Sequence, residues 1–202
     1  MKKNSFLVLF FLVMLQSSLL AQYEPKTLFG DSGLVNTNNL GFFVAPSYGF
    51  TQVDGSNATL LNLRGGISIK DKFTLGAYFN ISHNESRPQS ETFPNAYLEY
   101  WTVGGFAEYT LLSKKIIHFT FPLYLGYGEV QMHNEHGVSG LGKANFLQIE
   151  PSALLEVNLF RSTRLNLGVG YRFIGEMDYR NLNQSDISGL TANFGLKFGI
   201  FK

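Results

Sequence analysis

The sequence predicts an all-β fold: one eight-stranded antiparallel up-and-down barrel that crosses a membrane on its strands. Three observations carry that expectation. Side chains alternate in character with a period of two over stretches of about ten residues. The alternation sets apolar side chains against glycine and polar groups, and the links between stretches are short and long by turns. The 202-residue chain carries 19 Phe, 10 Tyr and 21 Gly, a mixture of strand-forming aromatics and small residues that suits strands packed around a tight space.

The first element is not a strand. Lys2 and Lys3 precede an apolar run from Phe6 to Leu15, and Ser17, Ser18 and Ala21 close the segment before Gln22. A charged start, a short apolar middle and a small-residue end are the marks of a secretory signal peptide, with cleavage expected after Leu19-Leu20-Ala21. The run is too short to span a bilayer comfortably as a helix. Residues 1–21 are therefore read as the signal, 22–39 as an extended periplasmic leader rich in Asn, Gly and Thr, and 40–202 as the barrel. Loss of the signal removes two of 16 basic residues and none of 15 acidic ones. The near-neutral remainder makes no electrostatic case for nucleic acid or for anchoring on an anionic membrane surface. There are no cysteines, which excludes disulfides and thiol chemistry.

Eight alternating segments follow, near 40–52, 58–70, 73–83, 96–111, 116–131, 145–159, 164–177 and 188–201. In the third, Phe73, Leu75, Ala77, Phe79 and Ile81 oppose Thr74, Gly76, Tyr78, Asn80 and Ser82. In the seventh, Leu165, Leu167, Val169, Tyr171 and Phe173 oppose Asn166, Gly168, Gly170 and Arg172. The eighth sets Leu190, Ala192, Phe194, Leu196, Phe198 and Ile200 against Thr191, Asn193, Gly195, Lys197 and Gly199. A soluble barrel would scatter Lys, Glu and Asp over its polar face and use glycine sparingly. Here 11 glycines fall on the polar face, among them Gly41, Gly76, Gly126 and Gly168, while Gly65 and Gly105 fall on the apolar one. Water does not require smallness, but a narrow lumen does. The faces therefore read as apolar toward lipid and polar inside. On that reading Gly41→Ser, close to the rim, is a mild change.

The links agree. Lys70-Asp71-Lys72, Leu112-Ser113-Lys114-Lys115 and Phe160-Arg161-Ser162-Thr163 are short, whereas those near 84–95, 132–144 and 178–187 are longer. Only the link at Asp54-Gly55-Ser56-Asn57 departs from the pattern by being tight. Short periplasmic turns and long outer loops produce this rhythm, and the outer loops are expected to meet the environment.

A resemblance strengthens the fold assignment. Glu150-Pro151, Glu156-Val157-Asn158, the run Leu167-Gly168-Val169-Gly170-Tyr171-Arg172 and the closing Leu196-Lys197-Phe198-Gly199-Ile200-Phe201 resemble small barrels exported by Bacteroidota. More broadly the chain is similar to OmpA/OmpX-type eight-stranded barrels. Phe201 resembles the C-terminal aromatic that barrel-assembly machinery reads, with Lys202 following it. The resemblance implies an outer-membrane location and passage through that machinery. It implies no chemistry.

Several motifs compete for a function. Gly137 to Lys143 fits the glycine and lysine spacing of a phosphate loop, but Ala144 stands where Ser or Thr would hold magnesium, and a strand follows instead of a helix. His133, Glu135 and His136 lack an identifiable further metal ligand. His83, Glu85 and Ser86 are crowded into four residues, poor geometry for a catalytic triad. His118 is expected inside, as a hydrogen-bonding residue. The inward charges are more informative: parity places Arg64, Arg172 and Lys197 in the lumen with Glu108, Glu150 and Glu156. Confined charges must pair, and three of each sign permit it, with Arg172 and Glu150 taken as one pair. The expected protein is a monomeric, non-enzymatic barrel with a structural or surface-interaction role and a charged plug. It has no cofactor or metal and is surrounded by outer-membrane lipids and lipopolysaccharide. A narrow ion channel and a lipid A-modifying enzyme centred on His83 are the alternatives.

Overall fold

Alternation this strict folds into long strands. The computed structural model describes residues 39–84, 86–91, 96–134 and 142–201; the signal at 1–21, nearly all of the leader, Glu85, and Glu135 and His136 with most of the phosphate-loop-like stretch lie outside the described residues. The strands are β1 (Leu40–Val53), β2 (Ser56–Ile69), β3 (Phe73–Ser82), β4 (Ala96–Leu111), β5 (Ile117–Asn134), β6 (Lys143–Phe160), β7 (Thr163–Ile174), the two-residue β8 (Asp178–Tyr179) and β9 (Leu182–Asn183), and β10 (Gly189–Ile200). One helical turn, α1 (Gln184–Ile187), lies between β9 and β10. Strands β1–β7 and β10 close an antiparallel barrel in which β1 pairs with both β2 and β10. The barrel thus has eight strands, as the alternation predicts.

Turn chemistry fixes the register. Val53 pairs with Ser56 across Asp54-Gly55, whose φ angles of 46° and 72° are those of a type I′ hairpin. Asp-Gly is among the residue pairs best suited to it. At the opposite end Phe160 pairs with Thr163 around Arg161-Ser162, and a bulge between Asn158 and Phe160 takes up the twist. We call this the turn end, and the end where β3, β5 and β7 finish the loop end. Three prolines interrupt the ladders. Pairing skips Ala45-Pro46 between β1 and β10, Phe121-Pro122 between β5 and β6, and Glu150-Pro151 between β6 and β7, because proline has no N–H to donate.

The outer wall is apolar over a limited height. Its exposed apolar side chains run from Val103 to Leu111 on β4, Ile117 to Tyr127 on β5 and Leu190 to Ile200 on β10, close to the span of about 9–11 residues that a tilted strand needs to cross a bilayer. Above that band the same faces turn polar: Gln131 donates to Glu99 at 2.7 Å, and Lys143 pairs with Glu129 at 2.7 Å. Ring pairs mark both margins, Phe73 with Tyr109 near the turn end and Trp101 with Tyr127 toward the loop end.

Inside, glycines receive aromatic rings. A Cβ added at Gly76 would lie 2.6 Å from the Phe106 ring, one at Gly128 would lie 2.5 Å from the Phe146 ring, and one at Gly126 would strike the Tyr78 hydroxyl. Outward Gly65 and Gly105 have room, with the nearest atoms at 3.4 and 3.5 Å. Two expectations are corrected here. Gly41→Ser is not mild, because its Cβ would come within 2.5 Å of the Ile200 carbonyl oxygen. Nor is the inner face purely polar: Phe43, Ala45 and Phe106 form one buried apolar cluster with Tyr78, and Val53, Leu60, Leu98, Val130, Met132 and Phe146 belong to another nearer the loop end.

Leu167→Arg or Phe121→Arg, each on the outer wall, should cost about 2–4 kcal/mol in reversible unfolding from lipid vesicles. Gly105→Ser, outward with space around it, should cost far less. Equal losses would mean that the two faces are assigned the wrong way round.

Candidate functional site: the barrel lumen

The lumen holds two tiers of polar side chains. In the tier nearer the turn end, β2 contributes Arg64, β4 Glu108, β5 His118, β6 Glu156, β7 Arg164 and β10 Lys197, all buried. Arg64 meets Glu108 at 3.0 Å and Glu156 at 3.5 Å; Lys197 meets the same carboxylates at 3.0 and 2.5 Å. Two cations and two carboxylates thus form a closed ring of contacts across the barrel. Glu156 also faces His118 Nε2 at 3.1 Å and Arg164 at 3.9 Å, which makes it the most heavily contacted acid of the cluster. The Tyr124 hydroxyl accepts from Arg64 at 3.0 Å. Phe43 lies beneath the cations, with Lys197 Nζ 4.4 Å from the ring centroid.

The turn end carries further contacts that parity alone did not reveal. Arg164 pairs with Asp71, from the β2–β3 turn, at 3.1 Å. Its guanidinium carbon sits 3.6 Å from the centroid of the Phe201 ring. Phe201, expected as an assembly signal, is half-buried and packs against the Phe43–Phe106 cluster. Arg164 was missed although it shares the parity of Asn166 and Arg172; its place at the strand's end drew attention to the turn instead. Asp71 carried no signal, because turn residues have no strand parity.

In the tier nearer the loop end, the expected Arg172–Glu150 ion pair does not form. Glu150 accepts from neutral donors, Thr191 Oγ1 at 2.8 Å and Gln148 Nε2 at 3.0 Å. Arg172 instead donates twice to the Ile187 carbonyl, at 2.9 and 2.6 Å, and once to Thr51 Oγ1 at 3.2 Å, with its guanidinium 5.0 Å from the Tyr100 ring centroid. Parity fixed the face of both residues but not their height or their partners.

That carbonyl belongs to a lid. The loop expected at 178–187 to meet the environment folds over the mouth as the β8–β9 hairpin and α1. Asn183 caps α1, its Oδ1 accepting from Ser185 N at 2.9 Å while Asp186 Oδ2 accepts from Asn183 N at 2.8 Å. Met177, Tyr179, Leu182 and Ile187 are buried against the apolar cluster of the upper barrel. Full burial of such side chains stabilises by about 1.5–3 kcal/mol each, which is why this segment does not remain an open loop. Tyr179 donates to the Gly142 carbonyl at 2.7 Å and accepts from Met132 N at 2.9 Å. Arg180 forks onto Glu91 at 2.8 and 3.1 Å, and this hydrogen bonding raises the guanidinium pKa further. Asp54 N donates to the Asp186 carbonyl at 2.7 Å.

The other candidates are not assembled. His83 lies on the outer face against Tyr48, with ring centroids 6.5 Å apart. No hydrogen bond joins it to Ser86, whose buried hydroxyl has no partner among the described residues. His133 stacks obliquely on Tyr97 at 6.2 Å, and no group of three metal-ligating side chains occurs among the described residues. Between the two tiers remains a polar void of about 30 Å³ beside Asn62, Tyr78 and Asn166, room for about one water molecule.

No protein-family model matches the chain and no curated protein does. Its fold is nevertheless shared. Neisserial surface protein A superposes with a TM-score of 0.58 at 10% identity, over 81% of this chain and 97% of that one. The N-terminal β-barrel domain of Pseudomonas aeruginosa OprF gives 0.57 at 10%, over 79% and 97%. A major outer membrane protein from Thermus thermophilus gives 0.54 at 8%, over 80% and 99%. The chain is a small eight-stranded barrel of the kind found in outer membranes.

The two inward glutamates should behave differently. Glu156→Gln leaves Arg64 and Lys197 short of a carboxylate and should lower unfolding free energy by about 3–5 kcal/mol. Glu150→Gln exchanges one acceptor among neutral donors and should cost about 1 kcal/mol. Urea titration of the refolded protein distinguishes the two; a reversed order would remove Glu156 from the centre of the cluster.

Proposed function

We propose that this protein is a closed outer-membrane barrel with a structural or surface-interaction role, and that it neither conducts ions nor catalyses a reaction. The observation that carries this reading is the filled lumen. A neutralised ion cluster, Arg164 with Phe201 below it, and an apolar lid latched by Arg172 all occupy the lumen among the described residues, and this filling supports the closed reading. An ion entering from the loop end would have to cross the Leu98–Val130–Met132–Ile187 cluster without hydration, at a cost of several kcal/mol. The limited height of the apolar outer wall and the likeness to outer-membrane barrels support the location.

In this reading residues 1–21 direct export, barrel-assembly machinery inserts the mature chain as a monomer, the turn end faces the periplasm and the lid faces outward. The expected activity then lies on the outer surface above the band, at the β4–β6 hairpins that carry Glu99, Glu129 and Lys143, and not in the lumen. A lipid-modifying site at His83 finds no support in the described geometry, because the buried Ser86 hydroxyl has no hydrogen-bond partner among the described residues.

Planar-bilayer recording tests the proposal. The wild-type protein should show no steady single-channel conductance. Arg172→Met, which releases the Ile187 carbonyl, should make residues 175–188 more accessible to protease while the bilayer stays silent. Discrete conductance steps from the wild type would replace the closed barrel with the channel.

A further inference from the structure

Near-neutral composition conceals a partition of charge along the barrel. At the turn end Lys70, Lys72, Lys114, Lys115 and Arg161 are all exposed, and none forms an ion pair with a carboxylate among the described residues. The acid in those turns, Asp71, is turned toward Arg164 and does not neutralise them. At the loop end the balance reverses. Glu176 and Asp178 stand exposed, with Arg87 the one exposed cation there that has no ion pair among the described residues, whereas Lys143 and Arg180 are held by Glu129 and Glu91 at 2.7 and 2.8 Å. Whole-chain charge could not reveal this, because the two ends offset each other.

Apolar side chains accompany the free cations. Leu112, Ile116 and Phe160 are 53%, 71% and 74% exposed and lie one or two residues from Lys114, Lys115 and Arg161. Side chains of this kind belong at the boundary of the hydrocarbon, with neighbouring lysine stems lying along it and their ammonium groups held at the level of the phosphates. The cations come from the β2–β3, β4–β5 and β6–β7 turns, so they are spread around the rim and not gathered in one pocket. We infer that this rim is a docking surface for the phosphate headgroups of anionic phospholipids in the leaflet facing the turn end. A soluble acidic protein would satisfy the charges, but would leave apolar side chains distributed around the circumference to be covered separately. A lipid leaflet covers both at once.

This inference rests on the membrane-barrel reading above, and the test keeps the two apart. The mature protein is first refolded into phosphatidylcholine vesicles and checked for heat-modifiable gel mobility; failure to fold there would remove the barrel reading before any lipid is compared. Spin-labelled phosphatidylglycerol and phosphatidylcholine are then compared for retention at the protein surface. A basic residue near an anionic surface strengthens association by about fivefold, so the wild type should retain phosphatidylglycerol about fivefold or more over phosphatidylcholine at low salt. High salt should bring the ratio toward unity. Combining Lys70→Gln, Lys72→Gln, Lys114→Gln, Lys115→Gln and Arg161→Gln should abolish the preference, whereas Lys143→Gln at the loop end should leave it unchanged. If the combined variant does not refold, the wild-type salt dependence and each turn's substitutions made separately carry the test. Equal retention of the two lipids by the wild type overturns the inference and makes an acidic protein the surface's occupant. A preference that survives the glutamine substitutions overturns it as well.

Discussion

The structure depends on one constraint: eight strands enclose a space barely wider than the side chains that must fill it. Every inward position is therefore chosen against its neighbours across the barrel. Gly76 and Gly128 exist because Phe106 and Phe146 occupy the space where their side chains would be. Outward Gly105 faces no such demand, and the wall around it is set by the apolar medium alone. The alternation that identifies the fold records two environments, one requiring fit and the other requiring hydrophobicity.

The same narrowness explains the lumen's chemistry. In so small an interior Arg64, Lys197, Glu108 and Glu156 compensate one another's charge, and each carboxylate is shared by both cations. Arg164, Asp71 and His118 extend the cluster to the turn end, where Phe201 lies under Arg164. Toward the loop end the charge density falls and apolar packing takes over. Arg172 there serves as a latch for a backbone carbonyl, and its charge is spent on the lid and not on Glu150. The two ends of the lumen are thus packed by different means, ion pairs at one and apolar side chains at the other.

Much of this was legible in the residues. Strand number, the direction of each face, and the inward placement of Arg64, Glu108, Glu150, Glu156, Arg172 and Lys197 follow from a period of two, which the backbone imposes on every strand. Partners were not legible, because parity gives neither height nor the reach of a long side chain; the supposed Arg172–Glu150 pair failed for that reason. The lid was hidden because its fold depends on long-range contacts of Met177, Tyr179, Leu182 and Ile187 with strands distant in sequence. Read locally, the segment looks like a polar loop. The basic rim was hidden by summation, since a net charge has no position.

Mutual dependence of the buried charges is tested most directly by a double-mutant cycle between Lys197 and Glu156. Lys197→Met and Glu156→Gln are made singly and together, and unfolding free energies are measured in the same vesicles. Mutual dependence predicts losses of about 3–5 kcal/mol for each single change and a loss for the double variant well below the sum of the two, with a coupling on the order of 2 kcal/mol. Strictly additive losses would contradict it, because the two residues would then be buried side by side without stabilising each other.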